Sequence, residues 1–179
     1  MTNDGLHVFL GHGASGDAAS MAPFVIGLRK RGLTADAVDL PKRKAEDAVQ
    51  PWRAAVPDGR GVVAGGHSYG GRVASLAAAA GAGYAGLVLF SYPVHPPGRP
   101  ERAEARVAHF PAIDCPVLLL SGEADPFARI ALLRDAVRTL ANAELVTYPR
   151  LGHTLRPVLD DVLDRVRAFI AALPAAERR

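Results

Sequence analysis

Three residues whose types can together cut an acyl bond stand in three separate loops of this sequence: Ser68, Asp125 and His153. A serine hydroxyl attacks a carbonyl carbon when a neighbouring imidazole takes its proton. The imidazole does this best when a carboxylate fixes its tautomer and balances the charge it gains. Ser68 lies in Gly66-His67-Ser68-Tyr69-Gly70, between an apolar run and an amphipathic stretch. That placement predicts a sharp strand-to-helix turn, in which side chains at 66 and 70 would collide and both positions must be glycine. The turn aims the serine along a helix whose N-terminal dipole favours developing negative charge.

Asp125 follows another apolar run, in Gly122-Glu123-Ala124-Asp125-Pro126. It can accept a hydrogen bond from the far nitrogen of a histidine. The competing reading is a helix N-cap, with Pro126 opening the helix. Glu123 is the alternative acid. His153, in Leu151-Gly152-His153-Thr154, comes after the last apolar run and downstream of the other two. Each of these residues is ordinary in a loop. Their coincidence in three loops is what points to nucleophilic acyl chemistry.

Such chemistry places negative charge on the former carbonyl oxygen, so two N–H donors are required. The backbone N–H of Tyr69, directly after the serine, is one candidate. The other is the N–H of Ala14 in Gly11-His12-Gly13-Ala14-Ser15-Gly16, where glycines allow close approach of the backbone. His12, in the same loop, is a candidate contact for substrate. No lysine follows this loop at the spacing of a phosphate-binding P-loop.

The elements that must position these groups alternate along the chain. Apolar runs at Leu6–Leu10, Leu33–Leu40, Gly61–Gly65, Gly86–Phe90, Val117–Ser121 and Glu144–Tyr148 read as strands; the second is weakest because it carries Asp36 and Asp39. Between them, Met21, Phe24, Val25 and Leu28 fall on one helical face, as do Val73, Leu76, Ala77 and Ala80, then Ile130, Leu133 and Val137, and finally Val158, Val162, Val166, Phe169 and Ile170. Residues 44–56 also read as helical, with Pro51 expected to break the helix or begin a second piece. Alternating strands and helices predict one α/β domain over residues 1–179, a doubly wound, six-stranded, mostly parallel sheet with helices on both faces.

Residues 91–114 are the stretch without a clear pattern. They carry Pro93, Pro96, Pro97, Pro100 and Pro111, which leave room for one short helix at most, between Glu101 and Phe110. The expectation is an open site with no helical lid. Tyr92 and His95 could orient a substrate, or the prolines could form a rigid wall. Arg72, one turn after the serine, could hold a carboxylate-bearing substrate or pair with an internal acid.

With 49% hydrophobic and 22% charged residues, a folded core is expected rather than disorder. The net charge of +3 comes mostly from scattered arginines, and only Lys42, Arg43 and Lys44 cluster, as a solvated turn. Aromatic content of 6% gives no base-stacking platform, so nucleic acid is not expected as a partner. The single cysteine, Cys115, precludes an intrachain disulfide and reads as a buried thiol. The sequence suggests neither a signal peptide nor a membrane span, no metal and no cofactor, and hence a cytoplasmic protein.

Ser68 in Gly-His-Ser-Tyr-Gly-Gly, Asp125 in Gly-Glu-Ala-Asp-Pro, His153 in Leu-Gly-His and the early His12-Gly13 together resemble the α/β-hydrolase superfamily over Leu6 to Ile170. More narrowly, His12-Gly13-Ala14, Gly70-Gly71-Arg72 and the segment 91–98 look like a small cap-less group related to dienelactone hydrolase. The resemblance to the superfamily implies the strand order 2-1-3-4-5-6 and an ester or thioester hydrolase that needs no cofactor. It also implies that the first two strands of larger superfamily members are missing here. Dienelactone hydrolases use a cysteine nucleophile, so Ser68 argues against dienelactone as the substrate. The same triad would serve an acyltransferase or a peptidase, and the fold alone could carry a non-catalytic interaction module.

Overall fold

The computed structural model describes residues 5–174. Their apolar runs form β1 (His7–Gly11), β2 (Thr34–Val38), β3 (Val62–His67), β4 (Gly86–Phe90), β5 (Val117–Gly122) and β6 (Ala143–Tyr148). The strands join in the order β2-β1-β3-β4-β5-β6. Every neighbouring pair is parallel, so the sheet goes beyond the mostly parallel one expected. The helices are α1 (Ala22–Lys30), α2 (Ala45–Ala55), α3 (Tyr69–Ala79), α4 (Ala103–Val107), α5 (Ile130–Val137) and α6 (Leu159–Ala172).

Parallel strands with helices on both sides bury both faces, and successive side chains of one strand serve opposite layers. In β4, Leu87 and Leu89 enter the layer beneath α2, α3 and α5, alongside Trp52 and Ala77. Val88 and Phe90 enter the other layer, against Phe24 and Leu28 of α1 and Val162 and Val166 of α6. Trp52 is fully buried and donates its indole N–H to the Tyr84 hydroxyl at 2.9 Å, so its one polar atom is satisfied. Cys115 is buried, and desolvation pushes its thiol up to about 11.

The weakest predicted strand forms at the sheet edge, where its carboxylates find partners. Asp36 on β2 meets the Nε2 of His7 at 2.6 Å and the guanidinium of Arg29. Asp39 accepts the N–H of Ala18 at 2.7 Å. Pro51 departs from expectation: it lies inside α2, which runs unbroken from Ala45 to Ala55. A proline there costs one backbone hydrogen bond. The helix is held instead by Ala45, Ala48 and Trp52, all buried against the core.

Residues 91–98 contain no helix. Beyond them the chain makes a 3-10 turn at Pro100–Arg102, the five-residue α4, and a second turn at Phe110–Ala112. Among the described residues, no helix is long and apolar enough to cross a membrane.

Candidate active site

The order of strands reverses between β1 and β3, and their carboxyl ends open a crevice there. Ser68 sits at that point, between β3 and α3, with φ 51° and ψ −109°. Its N–H donates to the Phe90 carbonyl at 2.8 Å, fixing the turn against β4.

The glycines around it are required, though not because 66 and 70 would collide with each other. Gly66 is the register partner of Gly11 on β1. A Cβ on Gly66 would stand 2.2 Å from the Gly11 carbonyl oxygen, and one on Gly70 2.2 Å from the Gly11 carbonyl carbon. The end of β1 is what the turn must clear, and three glycines meet there.

The loops after β5 and β6 are interlocked. The Ala124 N–H donates to the Leu151 carbonyl at 2.9 Å, and the Glu123 N–H to the Tyr148 carbonyl at 3.0 Å. A Cβ on Gly122 would lie 2.1 Å from the Leu151 carbonyl oxygen, so only glycine lets the second loop cross the strand end. This crossing delivers His153 to Asp125, with Nδ1 to Oδ2 at 2.8 Å. The Asp125 side chain is wholly buried and that of His153 is 24% exposed. Asp125 does not cap a helix that Pro126 opens, since α5 starts only at Ile130. Its other oxygen, Oδ1, accepts the Phe127 N–H at 2.8 Å in a local turn. Glu123 is engaged elsewhere, accepting from the Thr147 hydroxyl at 2.7 Å.

Ser68 and His153 border one hollow of about 370 Å³, walled by the Gly13–Gly16 loop and by Met21, Phe24 and Leu155. Ala14 borders this hollow too. Among the described residues, neither the Ala14 N–H nor the Tyr69 N–H has a hydrogen-bond partner. The loop that carries Ala14 is held open by a turn from the Gly16 N–H to the Gly13 carbonyl and by the Gly70 N–H on the His12 carbonyl at 2.9 Å.

Three residues considered as substrate contacts are occupied by the fold. His12 is buried; its Nδ1 is 2.7 Å from the Gly13 carbonyl oxygen and its Nε2 accepts the Leu40 N–H at 2.9 Å. His95 repeats the pattern, with Nδ1 at 2.8 Å from the Pro96 oxygen and Nε2 accepting the Arg129 N–H at 3.0 Å. Each imidazole is therefore a brace between two loops, with no nitrogen left over. The Tyr92 hydroxyl donates to the Arg106 carbonyl at 3.0 Å, and its ring packs edge-on against Phe110. Burial pushes this phenol up to about 12, so it stays neutral. Within segment 91–98, Pro93 lines a hollow that Ser68 also borders.

Two residues without an assigned part in the sequence reading touch His153. The His67 Nε2 lies 2.9 Å from the His153 carbonyl oxygen and so carries its proton. Burial holds His67 below the usual imidazole range. Phe127 lays its ring 4.3 Å from that of His153. The only signal for His67 was its place before the serine, and for Phe127 its place two residues after the aspartate. Arg72 pairs with Glu46 on α2.

The chain belongs to the alpha/beta hydrolase domain family, whose model matches residues 39–171. Solved structures share its fold at low sequence identity. A monoacylglycerol lipase of Paleococcus ferrophilus superposes with a TM-score of 0.80 at 14% identity, covering 93% of this chain and 94% of the other. Esterase 2 of Thermogutta terrifontis, phosphonylated by sarin, gives 0.78 at 18% identity over 97% and 86%. Est1E of Butyrivibrio proteoclasticus, bound to ferulic acid, gives 0.75 at 17% identity over 94% and 91%. Comparison with the curated proteins finds no match.

Proposed function

We propose that this protein is a serine hydrolase that cleaves a carboxylic ester or thioester through an acyl-enzyme on Ser68. The observation that carries the reading is the buried Asp125 carboxylate on His153 Nδ1, beside the hollow that His153 shares with Ser68. With its Nδ1–H held by Asp125, the imidazole presents a basic Nε2. That nitrogen takes the proton as Ser68 Oγ bonds to the acyl carbon. The carbonyl oxygen gains the negative charge, and the free N–H groups of Ala14 and Tyr69 are the donors for it. As the bond to the leaving oxygen or sulfur breaks, the imidazolium returns the proton to that atom. Water, deprotonated by the same imidazole, then attacks the acyl carbon, and the imidazolium returns that proton to Ser68 Oγ as its bond to the acyl carbon breaks.

The neighbours named as a lipase and as esterases support an ester as the substrate class. We further read the site as lidless in a single domain, acting on a small molecule. Without a lid, a long acyl chain stays in water, and each unburied methylene forgoes about 0.8 kcal/mol, so short acyl groups, or an acyl group presented on a larger molecule, are favoured.

The test is labelling with a fluorophosphonate probe followed by peptide mapping. The expected result is a single adduct on Ser68, lost in Ser68→Ala and strongly slowed in His153→Ala. A folded protein that leaves the probe unreacted would instead be an interaction module on this fold.

A further inference from the structure

Ser68 borders a second hollow, of about 420 Å³, which shares Ala14 and Phe127 with the first but is not lined by His153. Its walls carry Arg43, Lys44, Arg72 and Arg106 against one carboxylate, Glu46, a surplus of three positive charges beside the serine. Glu46 is claimed by Arg72. Among the described residues, Arg43, Lys44 and Arg106 have no acidic partner in an ion pair.

Arg72 and Arg106 are partly buried, whereas Arg43 and Lys44 stand exposed on a turn. The Arg72 N–H donates to the Ser68 carbonyl at 3.0 Å, so this residue stands one helical turn from the serine. The Arg72 Nε is buried with no hydrogen-bond partner. The turn bearing Arg43 and Lys44, which in sequence reads only as a solvated basic cluster, is tied to the start of α3 by the Tyr69 hydroxyl on the Pro41 carbonyl at 2.7 Å. Burial, reinforced by the repulsion of Arg72, lowers Arg106 from its ordinary value.

We propose that this hollow binds an anionic group, a carboxylate or phosphate, on the acyl half of the substrate. The inference rests on the hydrolase reading above. The imidazole must reach the leaving atom to protonate it, and His153 borders only the first hollow, so the leaving group lies there and the acyl half enters the second. Guanidinium forks match both carboxylate and phosphate. The substrate class that follows is the monoester or monothioester of a diacid, or an acyl group bearing a phosphate.

The experiment compares p-nitrophenyl hydrogen glutarate with its neutral methyl ester. The expected kcat/KM ratio is about tenfold or more in favour of the anion, the worth of one charge-assisted hydrogen bond. Arg106→Gln, and independently Arg43→Gln on its exposed turn, should collapse this ratio, whereas Arg138→Gln, at an exposed residue that does not line the hollow, should not. A ratio near one in the wild type, with the methyl ester still cleaved, overturns the anion site and leaves the hydrolase reading standing. Binding of free glutarate and of inorganic phosphate, followed by calorimetry, needs no turnover. Binding of either that is lost in Arg106→Gln supports the site even if both esters are inert and the hydrolase reading falls, and identifies which anion it prefers. Binding of neither overturns it.

Discussion

Asp125 and Glu123 stand two residues apart in one loop and serve different partners: Asp125 meets His153 Nδ1, and Glu123 accepts from Thr147 on β6. Asp125→Asn should therefore lower ester turnover by roughly 10³-fold or more, because an amide holds neither the tautomer nor the charge of the imidazole. Glu123→Gln should stay within a few-fold of wild type. Steady-state kinetics on the two variants checks this, and the reverse ranking would move the role to Glu123.

The junction of Gly11, Gly66 and Gly70 should tolerate no added methyl group. Gly70→Ala is expected to destabilise by about 3 kcal/mol or more, since backbone rather than a flexible side chain blocks the new Cβ. Gly61, where nothing lies within 4 Å of an added Cβ, is the control. Gly61→Ala should shift stability by no more than about 0.5 kcal/mol in urea denaturation.

His109 gives the fold an acid limit. Burial, reinforced by Arg72, pushes its imidazole down to about 4, from an ordinary value of 6.5. The unfolded chain then binds a proton that the folded chain refuses, so stability is intact above pH 6.5 and falls as pH drops from there toward 4. In His109→Gln the fall over that window should be shallower, by on the order of 1 kcal/mol at pH 5 after allowing for the ring's partial exposure. Denaturation curves at pH 7 and pH 5 measure the difference.

Pro51→Ala should raise stability by about 1 kcal/mol. It restores a helix-interior N–H that proline lacks, partly offset by the freedom alanine returns to the unfolded chain. Thermal melts of the two proteins test it.

What the sequence made legible follows the reach of each signal. Periodicity and apolar runs report burial, and burial is what assembles the sheet, so the strands and both helical layers could be read, while the strand order came with the family resemblance. Pro51 was misread because local propensity is blind to the packing of Trp52 and Ala48 on either side of it. The glycines at 66 and 70 were identified correctly, but the atoms that require them belong to β1, more than fifty residues earlier. His12 and His95 look like surface chemistry in a linear text. Only folding shows that a backbone N–H, from Leu40 or Arg129, uses up the second nitrogen of each ring. The cationic hollow was the least visible, since Arg43, Arg72 and Arg106 are dispersed along the chain and meet only in space.

The backbone of Ser68, at φ 51°, holds a conformation that costs a non-glycine residue about 1–3 kcal/mol. Glycine would take the same turn freely. In a lineage that no longer needed turnover, Ser68→Gly would be a change the fold itself rewards, silencing the site while raising the melting temperature. Persistence of serine at this position among descendants of the sequence would then record selection for chemistry acting against selection for a sturdier fold.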